Sequence, residues 1–310
     1  MKKRLIILRS IIIVILLFIL TLTSCQSKKK NNLIGNDIVF AVTADSSILD
    51  STEFKYDLNE LENQIDTDSS YVYLNPKKTD YKIVEEFGFD INDYTIRNGE
   101  RYYKSDNGLP PKVSITIDEF GAFKYMTDIP ETYYEILYSE EDCVKIAKDY
   151  LIEYGIWDEK ILDENNVTFN ENATIDGESK IIHGRGVNFL TKKIDDRSVA
   201  GNSRVTVNIN GEGQVKSITY NIREYEDRQT VSLISIKNAI QKIKENDAFI
   251  EVESASDELI FENVHLSYWT QNTNEDNLTM QPVYVFSGTS ITIDGNKEPF
   301  AITVQANKLS

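Results

Sequence analysis

Val205-Thr-Val-Asn-Ile209 alternates apolar and polar residues, turns through Asn210-Gly211-Glu212-Gly213, and returns as Val215 to Tyr220. A period of two puts Val205, Val207 and Ile209 on one face of a strand, and the Asn-Gly turn closes an antiparallel hairpin. Val113-Ser-Ile-Thr-Ile117 reads the same way, turning through Asp118 to Gly121 and returning as Phe123-Lys-Tyr125. Val113, Ile115, Ile117, Gly121, Phe123 and Lys124 match Val205, Val207, Ile209, Gly213, Val215 and Lys216 at a constant offset of 92. Such self-similarity reads as an internal repeat.

Helical patterns flank these hairpins. Ser139-Glu140-Glu141-Asp142 opens like a capping box, with acids in the first turn. Val144, Ala147, Leu151 and Tyr154 then share one face with Cys143 and Tyr150 beside them, and Gly155 is placed to end the helix. A second helix is expected from Ser235, with Ile236, Ala239, Ile240 and Ile243 on one face. Shorter ones are expected over Asp57–Ile65 and Asp80–Phe87. Further strands are expected near Val167–Phe169, Gly186–Leu190, Leu259–Trp269, Pro282–Phe286 and Phe300–Val304.

The expected fold class is therefore α+β: tandem small modules, each a helix packed on a three- to four-stranded antiparallel sheet, with one sheet face left for solvent or a partner. The expected boundaries are 1–24 for a leader, 25–36 for a tether, 37–134 for an N-terminal α+β region, and 135–227 and 228–310 for two related units.

The leader carries an address. Lys2, Lys3, Arg4 and Arg9 precede or open an apolar run from Ile11 to Leu20. That length suits a signal peptide and is short for a spanning helix. Leu22, Thr23 and Ser24 then form a lipobox ahead of Cys25, whose thiol would be diacylated and become the new N-terminus. The alternative is an uncleaved anchor over Leu5–Leu22 with Arg9 snorkelling. Two acyl chains suffice for stable anchoring. Lys28, Lys29 and Lys30 follow as a membrane-proximal basic patch, each worth on the order of 1 kcal/mol against anionic lipid, with an ordinary solvated tether as the equal alternative. Cys143 is left without a cysteine partner and reads as a small buried hydrophobe.

Among 310 residues, Lys+Arg number 33 against 50 Asp+Glu, a formal charge of −17. Loss of residues 1–24 removes four cations, leaving 29 against 50, or −21. This balance argues against nucleic acid as a partner.

The search for chemistry gives no catalytic residue, no metal site and no cofactor. His183 and His265 lie in strand patterns, and neither has a His or Cys at ligand spacing. Asp66-Thr-Asp68-Ser-Ser70 and Asp294-Gly-Asn296 fit turns better than a calcium loop. Glu85-Glu86, Glu140-Glu141 and Asp195-Asp196 read as solvated surface. A carboxylate pair for glycoside hydrolysis leaves no local signature, so that class stays open. The 17 Tyr, 13 Phe and 2 Trp read chiefly as core, with a functional aromatic surface as the second reading.

An Ala-bearing helix, an aromatic strand and a Val-x-Val-Asn hairpin with turn glycines together resemble PepSY-like domains, through Ser139–Gly155, Val205–Val215, Val231–Ile243 and Pro282–Ala306. Two in tandem behind an N-terminal anchor are similar to YycH/YycI-type accessory proteins, which restrain a cell-envelope sensor kinase. The lipobox departs from those proteins, which keep a transmembrane helix. The resemblance implies no catalytic residues.

The expected function is that of a lipid-anchored, extracytoplasmic lipoprotein, a non-catalytic interaction or regulatory module at the cell envelope. Its expected partners are the bilayer, through Cys25, and a membrane-associated protein or peptide. The alternatives are an envelope hydrolase with paired carboxylates and a solute- or cation-binding lipoprotein.

Overall fold

The computed structural model describes residues 49, 52–105, 113–129, 134–176, 179–251, 255–270 and 278–308. The leader, the lipobox residues Leu22, Thr23, Ser24 and Cys25, and the basic Lys28, Lys29 and Lys30 lie outside the described residues.

Two eight-stranded sheets dominate the chain, which is 52% strand and 14% helix. The first sheet contains β1 (Glu53–Lys55), β2 (Ser69–Pro76), β9 (Val199–Gly201), β12 (Tyr225–Ser232), β13 (Phe249–Glu251), β14 (Ser256–Thr270), β15 (Met280–Thr292) and β16 (Lys297–Gln305). The second contains β3 (Thr95–Arg97), β4 (Glu100–Lys104), β5 (Ser114–Ile117), β6 (Phe123–Met126), β7 (Leu162–Asp176), β8 (Ser179–Thr191), β10 (Arg204–Asn210) and β11 (Val215–Tyr220). Its order is β3-β4-β5-β6-β11-β10-β8-β7, antiparallel throughout.

The described residues form four helices: α1 (Leu58–Glu62), α2 (Ile83–Glu86), α3 (Glu140–Glu153) and α4 (Ile236–Lys244). The signals that position them are local. Ser139 caps α3 by accepting from the Asp142 amide, while the Asp142 carboxylate accepts from the Ser139 amide. Asp57 caps α1 and Ser235 caps α4. Gly155 ends α3 at φ 64°, a conformation that costs glycine little. α3 buries Cys143, Ala147 and Leu151 completely against the second sheet, and α4 buries Ile236, Ala239, Ile240 and Ile243 against the first.

This architecture corrects the expected fold class. The chain is a β-rich fold with two large sheets, not a tandem of helix-on-sheet modules with three or four strands each. The hairpins related by the offset of 92 are not equivalent parts of separate modules. They lie side by side in one sheet, where β6 pairs with β11 through Tyr125↔Ile218 and Phe123↔Tyr220. Alternation specifies which face of a strand is apolar, but not which strand lies beside it. A two-stranded hairpin leaves both edges unsatisfied, and here the edges of two hairpins satisfy each other. β7 is also far longer than the strand expected near Val167–Phe169, with 15 residues and bulges on either side of that stretch.

The stretch 37–134 supplies strands to both sheets, β1 and β2 to the first and β3 to β6 to the second. The connection between β8 and β10 leaves the second sheet, adds β9 in parallel to β14 in the first, and returns.

Candidate functional site

The faces of the second sheet differ sharply. On the side covered by α3, one row across seven strands reads Tyr103, Ile115, Tyr125, Ile218, Val207, Val187 and Phe169. All but Phe169 are buried. The alternate positions point the other way, and there the chemistry inverts.

Two transverse rows mark that open face. One reads Tyr102, Thr116, Lys124, Thr219, Thr206, Asn188 and Thr168. The next reads Lys104, Ser114, Met126, Ser217, Asn208, Gly186 and Asn170. Hydroxyls, amides, two lysines and a glycine make up most of both rows, and neither contains a carboxylate. Lys124, Met126, Thr168 and Asn170 are exposed, and Thr116, Thr206, Asn208 and Thr219 are half-buried.

The centre of this face is a trough of about 410 Å³, bordered by Lys124, Met126, Asn170, Asn208, Lys216 and Thr219. Its floor is held rigidly. The Thr206 hydroxyl donates to Asn188 Oδ1 at 2.7 Å, and Asn188 Nδ2 donates to the Thr168 carbonyl at 3.3 Å. Asn208 Nδ2 donates to Ser217 Oγ at 2.8 Å. A Cβ on Gly186 would lie 2.8 Å from Asn208 Oδ1, so glycine lets this amide lie across β8. The lining also carries Lys124, Lys216 and Arg185 and one carboxylate, Glu171, which Lys180 meets at 2.6 Å and Arg185 at 3.7 Å. Lys124 makes no ion pair among the described residues, and the Arg97 guanidinium stacks 3.5 Å from the Tyr102 ring centre at one end.

A second concavity of about 500 Å³ lies beside the β5–β6 turn and the end of α3. Phe123 and Tyr220 stack on its floor at 5.2 Å and 3° between planes, with Ile156 and Ile222 nearby. Burial, then Glu224 and Asp158, push the Tyr220 phenol up to about 12. At the rim Lys77 pairs with Glu224 at 3.1 Å and Lys78 with Glu119 at 2.7 Å, so its charges largely answer each other.

Asp195 occupies a site that sequence reasoning assigned to solvated surface. Asp195 and Asp196 both have positive φ, 49° and 63°, in the tight turn closed by the bridge Ile194↔Arg197. Asp195 Oδ2 accepts from Tyr73 Oη at 2.6 Å and from Tyr268 Oη at 3.3 Å, and Arg228 lies 3.5 Å from Oδ1. Burial and the bond to Asp195 raise the Tyr73 phenol well above its ordinary value. This clamp fastens the β8–β10 connection to the first sheet. Runs of Asp, which tolerate left-handed backbone, were the available signal.

The remaining candidates are placed as follows. Cys143 is fully buried, and burial pushes its thiol up. His183 is buried, with Nε2 2.7 Å from Thr174 Oγ1. His265 is exposed on β14; desolvation and then Lys193 lower its titration from the ordinary value. Asp294-Gly-Asn296 forms the β15–β16 turn, with Gly295 at φ 80°. Among the described residues no group of three or more His, Cys, Asp and Glu is placed to hold a metal ion, and no helix is long and apolar enough to cross a membrane. Sequence could not connect Glu100 with Asp118: burial and then the charge of Asp118 raise Glu100. Asp118 is itself fixed by Arg223 at 3.1 Å and by the amides of Phe120 and Ala122.

No protein-family model matches the chain, and no curated protein matches it. Among solved structures, it is similar to an uncharacterized protein from Eubacterium rectale ATCC 33656. The TM-score is 0.41 at 11% sequence identity, covering 79% of this chain and 86% of the other.

Proposed function

We propose that this chain is an extracytoplasmic, lipid-anchored binding module of the cell envelope, with the open face of the second sheet as its recognition surface. The observation that carries the reading is the pair of transverse polar rows: hydroxyl and amide groups from seven strands, aligned on the face that no helix covers among the described residues and stiffened by their own hydrogen bonds. The edge of β7, the last strand of the sheet among the described residues, is a weaker surface for strand addition, because its bulges interrupt the register a partner strand would need.

The Leu22–Cys25 lipobox supports the membrane address, and the basic Lys28–Lys30 patch suits the root of the tether. A regulatory role at a membrane protein, as the resemblance to accessory regulators implies, fits the same geometry. The test is photocrosslinking in cells. A crosslinking residue at Met126, which is 45% exposed on the open face, should capture a binding partner. One at Ile152, 53% exposed on the outer side of α3, should not. Capture from Ile152 alone would move the recognition surface off the sheet. Cys25→Ala should abolish acyl labelling and release the protein from the membrane fraction; unchanged labelling would refute the address.

A further inference from the structure

We infer that the concavity beside the β5–β6 turn and the end of α3 is a second binding site, and that it takes a small organic cation, a primary ammonium carried on an apolar, ring-sized body. Tyr220 and Phe123, in register on β11 and β6, alternate with the open-face residues Thr219 and Lys124, so the site lies on the opposite side of the sheet. The inference therefore stands apart from the open-face reading and does not depend on it.

Shape is the first argument. Four separate connections wall the concavity: the stretch before α2, the β5–β6 turn, the stretch after α3 and the one before β12. Phe123 and Tyr220 stack on the floor, with Ile83, Ile156, Ile161 and Ile222 around them. Phe123, Ile156 and Ile222 are buried, while Tyr220, Ile83 and Ile161 stay half-buried at the opening. A volume of about 500 Å³ with apolar walls and few polar groups is that of a small-ligand site.

Charge gives the sign of the ligand. Lys77 pairs with Glu224 at 3.1 Å, Lys78 with Glu119 at 2.7 Å and Lys82 with Asp80 at 2.9 Å. Among the lining carboxylates this leaves Asp158, which accepts from the Lys160 amide at 2.8 Å and makes no ion pair among the described residues. α3 adds to it. Gly155 and Ile156, the residues after its C-cap, line the concavity, so the negative end of a 14-residue helix dipole faces it. No basic side chain offsets that end in the last turn of α3, whereas the last turn of α4 holds Lys242 and Lys244. Burial, then Glu224 and Asp158, raise the Tyr220 phenol, which brings both carboxylates within electrostatic reach of the floor. A cation above aromatic rings gains further attraction. An anion would meet Asp158 and the helix end with like sign, and would have to draw Lys77 or Lys78 out of an existing pair. A bare cation would leave the apolar walls unfilled.

The test is calorimetry on the purified full chain in detergent with three probes: phenethylammonium, 3-phenylpropionate and methylammonium. Phenethylammonium should bind, and the other two should bind at least about tenfold more weakly, since one charge-assisted contact or one buried ring is worth that factor or more. Asp158→Asn keeps an acceptor for the Lys160 amide and should weaken phenethylammonium at least about tenfold. Glu140→Gln, about 20 Å away at the other end of α3, should leave it unchanged. Lys77→Ala frees Glu224 and should hold or tighten binding. Isoleucine methyl NMR should show phenethylammonium shifting Ile83, Ile156, Ile161 and Ile222. Equal or tighter binding of 3-phenylpropionate, or weaker binding in Lys77→Ala, would overturn the cationic requirement, and equal binding of methylammonium would overturn the apolar one. No effect of Asp158→Asn, shifts confined to other isoleucines, or no binding of phenethylammonium at millimolar concentration would each overturn the site.

Discussion

Val207 and Thr219 occupy adjacent strands of the second sheet and point to opposite faces, so exchanging their chemistries tests the two-sided character of that sheet. Val207 is fully buried between Ile218 and Val187, in the layer under α3. Val207→Thr nearly preserves shape and strand propensity but places a hydroxyl in an apolar layer. The neighbouring backbone carbonyls are already committed to the ladder, so the hydroxyl is stranded, at a cost of about 1–3 kcal/mol. Thr219→Val makes the reverse exchange on the half-buried open face, between Lys124 and Thr206. It should stay within about 0.5 kcal/mol of the parent, as surface substitutions usually do. Urea melts at constant m would measure both, and in a chain of roughly this size each kcal/mol moves Tm by about 2–4 °C. Equal costs for the two substitutions, or a neutral Val207→Thr, would refute the assignment of faces.

Other expectations concern the packing and the ion pairs. Leu151→Ala and Ile240→Ala remove fully or almost fully buried side chains from α3 and α4, and each should cost about 2–5 kcal/mol in denaturant melts. Arg223→Ala leaves Asp118 without its partner, with side chains only 4% and 12% exposed, and should cost about 3–5 kcal/mol. Adding Asp118→Asn should cost less than the sum, because the uncompensated charge is gone. Alkaline stability should also fall steeply. Burial raises Tyr220, Tyr225 and Tyr284 from 10.0 to about 12, so these phenols keep their protons in the folded chain while the unfolded chain ionises. Their contribution is present below about pH 10 and lost between about pH 10 and about 12. Urea midpoints across that window, read beside tyrosinate absorbance, would check it; a flat profile would mean that the rings are not buried.

Much of the local structure was legible. The capping box at Ser139–Asp142, the apolar stripe from Cys143 to Leu151 and the left-handed Gly155 define α3 without tertiary information. The polar halves of the alternating strands, Ser114 and Thr116 in β5 and Thr206 and Asn208 in β10, were equally visible, but one strand at a time. What the sequence could not show was their neighbours. The two rows gather residues from seven strands between Tyr102 and Thr219, joined by register that depends on bulges such as the one between Asn208 and Ile209. The same gap produced the expectation of separate modules, since similar hairpins look alike whether they repeat or pair. Asp195 was hidden for another reason: its partners Tyr73, Arg228 and Tyr268 come from three distant strands.

The most direct test of the open-face reading is lysine footprinting on intact cells against the purified protein. Lys124, on the open face, should be protected from acylation on cells and reactive in the purified chain, while Lys237, on the exposed side of α4, should react equally in both. Equal labelling of Lys124 in the two settings, or protection of Lys237 instead, would contradict the claim that the polar sheet face is where this protein meets its partner.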